Sequence, residues 1–119
     1  MSLTGQPVRQ KRPPTEGNPA YLAAIHDLPC CICDAFGLPQ MTPTEAHHVC
    51  HDRFEDRRTP DEMAIPLCRA HHTTGEGAKL ALHRCKALWR EVYGADYDYT
   101  PATQDKLAHM MRKVEANGP

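Results

Sequence analysis

Apolar residues recur at helical spacing in three places along the chain, and two short runs between them look like strands. Tyr21, Leu22, Ile25 and Leu28 fall on one helical face, and Asn18-Pro19 ahead of them is a good start, with Asn as cap and Pro at the first helical position. Pro29 ends that helix. The stretch 44–51, TEAHHVCH, reads as a strand, and Ala64–Leu67, AIPL, as a second. Over 78–93 the residues Ala81, Leu82, Cys85, Leu88, Trp89 and Val92 share a face, with Gly94 as the stop. Lys79, His83, Lys86 and Arg90 fall on the opposite face of that predicted helix. Thr100-Pro101 opens a last helix, whose buried stripe is Leu107, Met110, Met111 and Val114. The fold class expected is a small α+β domain.

Composition changes this picture in one respect. Only 6% of the 119 residues are aromatic, and Ala, Met and Cys make up much of the apolar share. A core with so little bulk gains from a metal staple. Six Cys and eight His are present. The N-terminus, MSLTGQPVRQKRPP, lacks the apolar stretch of a signal peptide, so the thiols read as metal ligands rather than disulfides and the chain as cytoplasmic. No apolar run approaches the roughly 20 residues that span a bilayer. Net charge is −1, which argues against a protein that coats nucleic acid but not against one touching it at a small site.

The Cys and His are grouped. Cys30 and Cys33 form a CxxC, and Cys68 and His71 a CxxH. Two intervening residues let a tight turn aim both side chains at one ion, and Cys₃His is a common closed zinc set. Cys31 could take the place of Cys30. Cys85, and with it Cys50, suits a buried apolar position. His72 directly follows His71, and a second adjacent pair is His47-His48. Neighbours on a strand face opposite sides, so one member of each pair is open to a different task. His51, on the same strand face as His47, is either a helper near substrate or simply exposed.

The pattern EAHHV, a gap, then IPLCRAHH resembles the HNH, or ββα-metal, nucleases. The run from YLAAIHDLPCCIC to HRCKALWREVYG is most similar to phage recombination-enhancement nucleases and their prophage relatives. The likeness covers about residues 19–94, between a basic arm (1–18, with Arg9, Lys11 and Arg12) and a C-terminal helix (95–119) packed on the domain. It implies a ββα-metal domain with a zinc knuckle and a metal-dependent DNA endonuclease. His48 would be the general base, and His47 and His72 ligands of a catalytic ion, with His83 as a further ligand. Asp61 would orient His48, polarise it or help hold the metal. The middle Asn of the motif is missing, since no Asn lies between residues 19 and 116; Asp61 or Glu62 replaces it, or the activity is weakened. The implied chemistry is water attack on a phosphodiester, with His48 taking the proton and the ion at the 3′ oxygen on the far side. Imidazole ligands favour zinc, manganese or nickel, while oxygen ligands from phosphate and water would still admit magnesium. DNA backbone contacts would come from Lys79, Lys86, Arg90, Arg57 and Arg58, with Arg53 in the same loop. Some relatives act on DNA presented by a recombinase filament, which makes such a filament a second candidate partner. The competing expectation is a zinc module that binds protein or nucleic acid without catalysis.

Overall fold

A computed structural model describes residues 17–52 and 58–117, with side chains up to residue 113. The basic arm, except for Gly17 and Asn18, lies outside these residues, as do Arg53 and Arg57, and the side chain of Val114 is likewise outside. Helix α1 spans Pro19–Ile25 and is capped as expected: the Asn18 side chain accepts the Tyr21 amide. Helix α2, Cys31–Phe36, turns the CxxC stretch back on itself and ends at Gly37, whose φ of 67° a residue with a Cβ rarely adopts. Strand β1 is Thr44–His47 and strand β2 is Ile65–Cys68. They pair antiparallel, Thr44 opposite Cys68 and His47 opposite Ile65. The architecture is a small α+β domain built on this two-stranded sheet.

The expected first strand is shorter than 44–51. It stops at His47, and residues 48–52 form a turn that is hydrogen-bonded elsewhere.

The largest difference lies in 78–93. Only Lys86–Tyr93 is helical, here α3. Gly75, Gly77 and Ala78 all have positive φ, so the chain cannot coil through them. The Leu82 and His83 amides donate to the His71 and His72 carbonyls, which removes them from any helix. Ala81 and Leu82 are buried as expected, but from a turn over 81–85, and Trp89 is buried from α3. Cys85, Leu88 and Val92 face solvent. Lys79, His83, Lys86 and Arg90 therefore do not share one helix face.

Two packed clusters hold the domain. One gathers Ile32, Val49, Ile65, Leu67, Leu82 and Trp89 around the cysteines. The other packs Ile25, Leu28 and Ala64 against Leu107 of α4, Thr100–Asn117. In α4, Leu107 is buried and Met110 partly so, but Met111 is exposed, so the stripe is narrower than its spacing suggests. Thr100 and Gln104 donate to the Met63 and Glu62 carbonyls, seating α4 beside the turn that carries Asp61. Among the described residues, no helix is long and apolar enough to cross a membrane.

Candidate metal centres

Cys30, Cys33, Cys68 and His71 converge, all four buried. The His71 Nδ1 lies 3.7 Å from the Cys30 and Cys33 sulfurs and 3.3 Å from that of Cys68, and Cys33 Sγ is 4.0 Å from Cys68 Sγ. Ligands at standard zinc distances on a tetrahedron lie about 3.8 Å apart for two sulfurs and about 3.6 Å for sulfur and nitrogen. The donors thus already have the spacing of a tetrahedral site, and the group can hold a metal such as zinc. The other nitrogen of His71 meets the Tyr93 hydroxyl at 3.5 Å, which fixes the ring with Nδ1 toward the thiols. Gln40 braces the knuckle by accepting the Cys30 amide and donating to Thr44.

Burial, and then the neighbouring thiols Cys30 and Cys68, push the Cys33 thiol up to about 12. Burial raises the Cys30 thiol as well, so without a cation both stay protonated, and a bound metal would displace the protons. Cys31 is buried but takes no part in the cluster, so the geometry selects Cys30 between the two alternatives. Cys50 is half-buried and Cys85 exposed.

The adjacent histidines part company here. Ala70–Thr74 is one wide helical turn, closed by the Gly75 amide on the Ala70 carbonyl. It sends His71 inward and His72 toward a second group. Ring donors of His47, His72 and His83 lie within 4.8 Å of one another. The paired amides of Leu82 and His83 hold His83 next to His72, with ring centroids 4.7 Å apart.

Two carboxylates back this group. His47 donates from Nε2 to Asp96 Oδ2 at 2.9 Å, and His72 meets Glu45 Oε1 through Nδ1 at 2.8 Å. Nδ1 of His47 and Nε2 of His72 are therefore left for other use. Burial lowers the His47 imidazole below its ordinary range, with Asp96 opposing and the other two histidines reinforcing the shift. Desolvation, His72 and Lys86 lower His83 in the same way. Both His47 and His83 are thus biased toward the neutral form that ligates metal. An ion held by three imidazoles at about 2.1 Å needs nitrogens about 3.4 Å apart, so the donors suit a divalent ion once the exposed His83 rotates inward.

His48 takes a different partner. Its Nε2 lies 2.7 Å from Asp61 Oδ1, and Asp61 Oδ2 accepts the Asn18 amide at 2.7 Å. The Asn18 amide and then His48 hold the Asp61 carboxyl below its usual range. The start of α1 thereby fixes the carboxylate that fixes His48. His47, His48, His72, His83, Arg58 and Lys86 line one cleft of about 480 Å³.

Other expected residues are placed otherwise. Arg90 is committed to Asp52 by two hydrogen bonds, 2.8 and 3.0 Å, and lies over Tyr97. Lys79 is half-buried and does not line the cleft. His51 is neither a cleft residue nor simply exposed: its ring joins the Lys86 carbonyl to the Asp96 amide. The residues missed by sequence reading are Asp96 and Glu45. Glu45 carried a usable signal, since it lies two residues from His47 on a strand and so on the same face. Asp96, beyond residue 94, carried none.

Comparison with protein-family models, with curated proteins and with solved structures finds no match for this chain.

Proposed function

We propose that the protein is a metal-dependent DNA endonuclease of the HNH, or ββα-metal, type, with one structural zinc and one catalytic divalent ion. The observation that carries this reading is the 2.7 Å His48–Asp61 pair in the same cleft as three clustered imidazoles. A proton acceptor and a cation site side by side are what phosphodiester hydrolysis needs. An antiparallel strand pair followed by a helical turn bearing His72 supports the same reading.

Cys30, Cys33, Cys68 and His71 would hold the zinc, and His47, His72 and His83 the second ion. When bound, that ion supplies positive charge to the phosphate and to the departing 3′ oxygen. His48 gives its Nε2 proton to the Asp61 hydrogen bond and keeps Nδ1 as the base that removes a proton from water. Asp61 orients the ring and stabilises the charge it gains; it stands in for the missing Asn. Arg58 and Lys86 on the cleft wall bind flanking phosphates. A net charge of −1 gives little general hold on DNA, so a recombinase filament that presents the strand fits as a partner.

The test is nicking of supercoiled plasmid and of single-stranded circles at low salt, with magnesium, manganese, nickel or EDTA, with and without a recombinase filament. Cleavage by wild type that needs metal and is lost in His48→Ala supports the reading. Absence of cleavage under every condition leaves the zinc module as the better account.

A further inference from the structure

We infer that Asp96 is the positioning residue of the cleft ion: it fixes the tautomer and angle of His47 and so makes the segment after α3 part of the metal site. The inference rests on the reading that His47, His72 and His83 hold a divalent ion.

Asp96 is fully buried. A buried carboxylate is costly unless its oxygens are well hydrogen-bonded. Here they are. Oδ2 accepts from His47 Nε2 at 2.9 Å and from the Cys50 amide at 2.7 Å, and Oδ1 accepts the His51 amide at 3.2 Å. Its own amide donates to His51 Nδ1 at 2.9 Å, and His51 Nε2 donates to the Lys86 carbonyl at 3.0 Å. The carboxylate therefore ties the end of β1 to the following turn, and the Asp96 amide, through the His51 ring, reaches the start of α3.

The tautomer follows from this arrangement. Asp96 already accepts two backbone amides and has no proton to give, so the His47 proton must sit on Nε2. The reverse tautomer would put a lone pair against a carboxylate oxygen at 2.9 Å. Nδ1 is then bare, as a metal ligand must be, and a carboxylate behind a ligating imidazole also raises its basicity. The other two imidazoles are held less firmly. The Glu45 that backs His72 is 36% exposed, and His83 has no hydrogen bond to either ring nitrogen among the described residues. His47 is thus the rigid ligand, and Asp96 is the reason.

The experiment uses the full zinc-loaded chain titrated with Co²⁺, followed by calorimetry and by the visible absorption of the bound ion. Wild type is expected to take up one Co²⁺ beyond its zinc, and His72→Ala to lose that uptake. Asp96→Asn is expected to keep its zinc and a cooperative unfolding transition, yet bind Co²⁺ about 10–100-fold more weakly. Glu45→Gln should lose less. A folded Asp96→Asn with wild-type Co²⁺ affinity would overturn the inference alone. Failure of wild type to bind a second ion overturns the three-imidazole reading and the inference with it. Should Asp96→Asn not fold, ¹⁵N NMR of wild-type His47 before cobalt decides: a proton on Nε2 supports the inference, and a proton on Nδ1 sinks it.

Discussion

The two Cys/His groups differ in what surrounds their donors. In the group of Cys30, Cys33, Cys68 and His71 all four members are buried and face one another. Each sulfur or nitrogen looks at another ligand, so an ion there would have its coordination filled by protein. In the group of His47, His72 and His83 one ring is buried, one half-buried and one exposed, and all three line an open cleft. Three imidazoles leave room for water and a phosphate oxygen. The closed set suits a structural role and the open set a chemical one, and a single turn, Ala70–Thr74, serves both by aiming successive histidines in different directions.

This contrast can be broken in graded steps. Cys68→Ala should have the largest effect. Metal binding at such sites is folding free energy, of order 10 kcal/mol or more, so the variant should show no cooperative unfolding transition by circular dichroism. Next, His48→Ala should lower plasmid nicking by about 10²–10⁴-fold while retaining one zinc and an unchanged melting temperature. His72→Ala should likewise abolish nicking, but through loss of the second ion, which His48→Ala should retain. Cys31→Ala sharpens the boundary of the closed site: it should retain its zinc and lose only about 1 kcal/mol of stability. Lys86→Ala should have the smallest effect, weakening plasmid binding several-fold and reducing the salt dependence by about one phosphate contact.

Legibility in the sequence followed range. The thiol cluster was readable because each half is a local CxxC or CxxH, and the α1 start because Asn-Pro is a local signal. The partner of His48 was open among several roles for Asp61, and the 2.7 Å contact settles which atoms meet. The helix over 78–93 was misread because Ala81, Leu82 and Trp89 really are buried. Apolar spacing reports burial, and here a turn and a helix each contribute to one core. The deciding features were the left-handed residues Gly75, Gly77 and Ala78 and amides pairing with the His71 and His72 carbonyls. Of these only Gly75 and Gly77 show in the sequence. Asp96 was invisible for a related reason: its partners His47, Cys50 and His51 lie more than forty residues away, and nothing in DYDY marks which acid turns inward.

The central claim is that one chain carries two metal centres with separate jobs. Its most direct test is a metal count on wild type and His72→Ala by native mass spectrometry, in zinc plus manganese or nickel, with plasmid nicking measured on the same samples. Two ions and cleavage in wild type, against one ion and no cleavage in His72→Ala, is the result expected. A wild-type chain that never holds more than one ion, whichever metal is offered, would contradict the account.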